Sequence, residues 1–124
     1  MGIDKEIITK KRDIYGALFE NMIIVDLMKN FNAQGMHNTL TFFRDINKKE
    51  IDLIIESGDK IIPIEIKASE TIQSKFFDTL TWFQEQTGNT STPIVIYGGD
   101  QTQQRTQGDV IPWSELQSIV TKKK

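Results

Sequence analysis

Two isoleucine-rich runs either side of a short polar turn constrain this chain more than any other feature. Residues 48–69 read KKEIDLIIESGDKIIPIEIKAS. Glu50 to Glu56 and Lys60 to Ala68 are rich in β-branched residues, and Ser57-Gly58-Asp59 between them is turn chemistry. Together they predict a β-hairpin. With Gly58 and Asp59 central in a two-residue turn, Ser57 faces Lys60, Asp52 faces Glu65 and Glu50 faces Lys67. Side chains alternate along a strand. One face then carries Ile51, Leu53, Ile55, Ile62, Ile64, Ile66 and Ala68, the expected core. The other carries Glu50, Asp52, Glu65 and Lys67, expected to turn away from it.

Directly opposed residues have Cβ atoms about 4.5–5.5 Å apart. Two carboxylates that close repel unless a proton is shared or a divalent cation sits between them. Mg²⁺ suits one or two carboxylates, water and substrate phosphate. Lys67 points the same way as Glu65 and could steady charge on a phosphate or orient water. This is a layout for metal-assisted phosphodiester hydrolysis. The plainer reading is a solvent-facing sheet surface whose ion pair is worth ~0–1 kcal/mol. A one-residue slip of register would separate the two acids.

The remaining pattern predicts a helix over about Asp13 to Asn32. Ile14, Leu18, Met22, Val25 and Met28 form one stripe, and Phe19, Ile23 and Leu27 another, so the helix is expected to be largely buried. Gly35 is a stop signal. Thr39 to Asp45 reads as a strand, turning at Asn47-Lys48-Lys49 into Glu50 to Glu56. A second helix is expected over Ile72 to Thr87, and Pro93 to Gly98 reads as a buried strand. Strand, helix, strand at this spacing predicts a right-handed parallel crossover. Residues 99–109 are expected as a long hairpin or loop, and Val110 to Trp113 as a short edge strand in which Pro112 is tolerated. Ser114 is placed to cap a last helix through Val120. The order is αβββαβ with a β/α end: an α/β domain with a mixed sheet flanked by helices. Residues 1–12 read as a polar leader or residual linker, 13–120 as one domain and 121–124 as a basic tail.

Composition narrows the function. At 124 residues, 38% hydrophobic and 26% charged, the chain suits one globular domain. It has no cysteine, hence no disulfide framework, Cys-ligated metal or Cys nucleophile, which fits a reducing, cytoplasmic setting. No apolar run approaches the roughly 20 residues that span a bilayer. A net charge of -2 and a pI near 5.4 argue against a strong sequence-independent nucleic-acid binder but leave room for a local site. His37 is the sole histidine, which disfavours zinc and reads as a solvated loop residue. Trp82 and Trp113 read as core or interface residues.

At the hairpin, "EIDLII" followed by "IPIEIKAS" resembles the D…(D/E)xK signature of the PD-(D/E)XK, restriction-endonuclease-like nuclease superfamily. Asp52 matches its first acid, Glu65 the second and Lys67 the lysine, while Ile51 stands where a proline is usual. Glu20, in "GALFENMII", matches an acid often added from the first helix. More closely, "YGALFENMIIVDLMK", "LTFFRDINKKEIDLIIE", "IPIEIKASETI", "FFDTLTWF" and "PIVIYGGD" together resemble the uncharacterised, nuclease-like C-terminal domain of many prokaryotic AAA-type ATPases. That resemblance covers roughly residues 13–120.

The resemblance implies a restriction-endonuclease-like fold and a Mg²⁺- or Mn²⁺-dependent deoxyribonuclease. Asp52, Glu65, Glu20 and the Ile66 carbonyl would hold the metal, with Lys67 catalytic. It also implies an ATPase module in the same or a partner chain, with DNA as a possible partner; no membrane partner and a possible homo-oligomer are expected besides. No G-x-x-x-x-G-K-[ST] occurs, so a fragment or a stand-alone copy is expected. Arg44 either touches substrate phosphate or pairs with Asp45 or Glu50, the pair being preferred. Ser69 and Lys75, at the expected start of the second helix, either cap it and decorate it or receive a phosphate. A reading of another class keeps the fold as a non-catalytic DNA- or protein-binding assembly module of the ATPase.

Overall fold

The computed structural model describes residues 5–35, 39–46, 49–88 and 90–121. Six strands form one mixed sheet: β1 (Thr39–Arg44), β2 (Glu50–Ser57), β3 (Lys60–Lys67), β4 (Ile94–Tyr97), β5 (Gln103–Arg105) and β6 (Gly108–Pro112). Their order is β1-β2-β3-β4-β6-β5. Three helices flank it: α1 (Lys5–Ala33), α2 (Asp78–Thr87) and α3 (Gln117–Thr121). His37, Asn47, Lys48 and the tail 122–124 lie outside the described residues.

The hairpin forms in the expected register. Gly58 adopts φ 62°, which an L side chain tolerates poorly, and Ser57 pairs with Lys60 and Leu53 with Ile64. The chain then crosses by α2 so that β4 runs parallel to β3, with Ile66 beside Ile96 and Lys67 beside Tyr97. β6 runs parallel to β4, and β5 closes the sheet antiparallel to β6.

Both faces of the sheet are covered, which corrects the expectation that one looks out to solvent. On one face α1 and α3 pack Phe19, Ile23, Leu27, Phe31, Ile119 and Val120 over Leu53, Ile55, Ile64, Ile66 and Ile96. On the other, Phe77, Leu80 and Phe83 pack over Ile51, Ile54, Val95, Tyr97 and Val110. Ile51 therefore belongs to the opposite face from Leu53 and Ile55. Strict alternation puts all three together, but the β1–β2 register shifts: Thr41 pairs with Ile54 and Phe43 with Ile51. Asp52 and Leu53 together oppose the single residue Phe42, and such a bulge reverses the facing of everything beyond it.

Other boundaries move for identifiable reasons. α1 begins at Lys5, eight residues before the apolar pattern, because Lys, Glu and Arg extend a helix by propensity once a packed segment nucleates it. Its expected burial holds for one stripe only. Ile14, Leu18, Met22, Val25 and Met28 are exposed, since one sheet can cover one side of a helix. The second helix opens as a 3-10 turn, Ser74–Phe77, with α2 proper starting at Asp78. Ile72 and Phe76 pack on the sheet first, so the chain follows its surface before winding. Val110 and Ile111 lie on an interior strand, not an edge, because the polar run Gln103–Arg105 supplies β5 outside it. Trp113 is 47% exposed and so is not core. Ser114 lies inside a 3-10 turn, Trp113–Glu115, that has no side-chain cap. No described helix is long and apolar enough to cross a membrane.

Candidate functional site

The acids meet where two strands part. The β2–β3 ladder runs from Ser57–Lys60 to Leu53–Ile64 and goes no further. At the next step the bulged Asp52 takes over with its side chain, its Oδ2 accepting the Ile66 backbone N–H at 2.8 Å. β3 continues on its other edge, with Glu65 beside Val95 of β4. Glu65 is thus held on an interior strand and is 8% exposed, a buried charged residue amid isoleucine and valine. Its Oε1 is fully buried without a hydrogen-bond partner among the described residues.

The electrostatics follow from that placement. Glu65 is pushed up to about 9, first by burial, then by a carboxyl–carboxyl hydrogen bond with Asp52 and by the Asp52 charge. The Lys67 ammonium pulls the other way. A buried carboxylate lacking a counter-charge costs several kcal/mol, far more than an exposed ion pair returns, so Glu65 holds a proton or needs a cation. With Glu65 protonated, its carboxyl can hydrogen-bond the facing Asp52 carboxylate.

Glu20 approaches from α1 and is half-buried. Its pKa is raised by burial, then by Asp52 and Glu50, against Lys67. The helix therefore does bring Glu20 to the end of the sheet where Asp52 lies. A small cleft of about 90 Å³ there is bordered by Glu20, Arg44, Glu50 and Asp52. Lys67 ends β3, its ammonium 5.5 Å from the Phe76 ring centroid. Such a contact stabilises the cation without consuming its hydrogen-bond donors.

The predicted periphery separates. Arg44 pairs with Glu50 at 2.9 Å across β1 and β2, both side chains exposed, as preferred from the sequence. Glu50, expected opposite Lys67, is instead engaged on the β1 side. Ser69 caps nothing: its hydroxyl donates to the Thr71 carbonyl and accepts the Thr71 N–H, closing a local turn. Lys75 lies exposed in the 3-10 turn. The helix N-terminus expected beside both is absent there, because α2 starts at Asp78, whose own carboxylate sits in its first turn. Two contributions went unseen in the sequence. Glu50, placed there on the acidic face opposite Lys67, also helps raise the pKa of Glu20. Phe76 seats Lys67, and no local pattern marks that.

The donor set admits a hard divalent cation in chemistry: carboxylates of Asp52, Glu65 and Glu20, with one buried oxygen unpartnered. As the side chains stand, no group of three or more acids or histidines among the described residues is gathered closely enough to hold one. Ile66 serves the site through its amide.

No curated protein matches the chain. A family model described as Domain of unknown function (DUF4143) matches residues 15–116, which take in α1 from Tyr15, the whole sheet and every acid of the site. The chain belongs to the DUF4143 family.

Proposed function

We propose that this chain is a metal-dependent, nuclease-like domain of the PD-(D/E)XK type that hydrolyses DNA phosphodiester bonds, working with an AAA-type ATPase module. One observation carries the reading: Asp52 and Glu65 converge where β2 leaves β3, leaving a buried carboxyl oxygen unpartnered beside a lysine. A core of isoleucine has no need of such a pair. Asp52, Glu65 and Glu20 would hold Mg²⁺ or Mn²⁺. When bound, the ion would polarise a phosphoryl oxygen and acidify its bound water.

The chain's own residues supply the rest. The Ile66 amide fixes one Asp52 oxygen, so that carboxylate keeps its orientation as substrate enters. Phe76 holds Lys67 near the acids, where its charge offsets negative charge gathering on the phosphorus oxygens. The α2-side core shuts water from the back of Glu65.

Plasmid and oligonucleotide cleavage in Mg²⁺ or Mn²⁺ tests this. Wild type should cut, while Asp52→Asn and Glu65→Gln should lose at least about a hundredfold and Lys67→Ala should lose rate with metal affinity retained. Cleavage unchanged in both acid variants dismisses the roles.

A second reading, a non-catalytic DNA- or protein-binding assembly module, draws on the net charge of -2 and the loosely gathered ligands. Calorimetric titration with Mn²⁺ separates the two, because the module has no reason to release heat.

A further inference from the structure

The outer face of α1 is largely apolar over four turns, with Asn21 and Lys29 among its side chains, and none of the described residues covers it. Ile14, Tyr15, Leu18, Met22, Val25 and Met28 are between 39% and 64% exposed, directly opposite the buried Phe19, Ile23, Leu27 and Phe31. Trp113 widens the patch on one flank, where it borders a groove with Met22, Val25 and Asp26. Six such side chains about half exposed, with the tryptophan, present roughly 700 Å² of surface. The largest apolar patch on a typical monomer is about 300–600 Å².

We propose that this face is the interface of a two-fold homodimer in which α1 packs antiparallel on α1 of a second copy. The area supports a second copy: two such patches bury about 1,400 Å² in total, inside the range of stable specific interfaces. The pattern supports an isologous pairing. About a two-fold axis between Asn21 and Met22, Leu18 meets Val25 of the second copy, apolar on apolar at the centre of the face. Asn21 at the axis carries both a donor and an acceptor and can bond its own symmetry mate. The sheet and its acids lie on the far side of α1, so the pairing leaves the acidic site open and does not depend on its chemistry.

Sedimentation velocity and light scattering on the full chain should give twice the chain mass at about 100 µM, reverting to one on dilution. Leu18→Glu with Val25→Glu should hold the mass at one chain and leave the circular dichroism unchanged, since both side chains point outward. Because the chain lacks cysteine, Asn21→Cys gives an independent reading. It should form an intermolecular disulfide at least about tenfold faster than Glu85→Cys, on α2 across the sheet. A single-chain mass at every concentration, or equal cross-linking by the two cysteine variants, overturns the proposal. So does a dimer that survives the double glutamate change.

Discussion

The Ile66 amide donates to the Asp52 carboxylate at 2.8 Å, one residue beyond the last backbone pair of β2 and β3. A side chain there replaces a strand. It satisfies a donor on an interior strand while the strands separate, and the gap they leave is where Glu65 and Asp52 face one another.

Removing that acceptor should cost stability. Asp52→Ala leaves the Ile66 N–H without its partner, about 1–3 kcal/mol, which lowers Tm by several degrees. Asp52→Asn keeps an acceptor and should lose less than half as much. Both relieve Glu65 of a neighbouring charge, so the difference between them isolates the hydrogen bond. Equal urea midpoints would show that the bond contributes nothing.

Glu65 makes the metal-free protein sensitive to alkali. Unfolded, it titrates near 4.5; folded, near 9. Between those values the folded state holds the extra proton, so its stabilising effect is full below about 4.5 and declines as pH rises toward 9. Urea midpoints should fall steadily from pH 5 to 8.5. Glu65→Gln, which stays neutral, should flatten the decline, and an unchanged slope in that variant would place the titration elsewhere.

A divalent cation should reverse the loss by taking the proton's place. Mn²⁺ at about a hundred times its dissociation constant stabilises by about 2.7 kcal/mol. The gain in Tm should be larger at pH 8 than at pH 5.5, where protons compete. Asp52→Asn and Glu65→Gln should abolish it. No shift at either pH would favour the assembly-module reading.

Gly98 fixes how closely the ends of β3 and β4 approach. A Cβ there would stand 2.4 Å from the Ala68 carbonyl oxygen, and its N–H donates to the Ser69 carbonyl at 2.9 Å. Gly98→Ala must push backbone from backbone just past Lys67, costing about 2 kcal/mol or more. Gly58→Ala meets open space and suffers only its positive φ, about 1 kcal/mol. Chemical denaturation of the two variants should rank them in that order.

Much of the candidate site was legible because it is local. Gly58 and the alternation of the hairpin set which residues oppose each other, and the separation of Asp52, Glu65 and Lys67 follows from counting. Asp52 and Glu65 do meet, and α1 brings Glu20 toward Asp52, though not into a gathered cluster of three. Solvent exposure of the acidic face was misjudged. Alternation reports that two faces differ, yet a helix arriving some ten residues later, bearing Phe77, Leu80 and Phe83, decides whether the second is wet. The polar run Gln103–Arg105 hid a strand for a similar reason: an edge strand needs backbone pairing more than apolar side chains.

The amino-acid sequence by itself determined the hairpin, its register, the crossover to Ile94–Tyr97 and the identity of the charged residues, since turn geometry and periodicity act over a few neighbours. Tertiary structure alone decided that Ile51 changes face, that Glu65 is buried and that one side of α1 is left exposed by the described residues. Those outcomes depend on a bulge against β1 and on which helix covers which surface, and both are settled by packing between segments far apart in the chain.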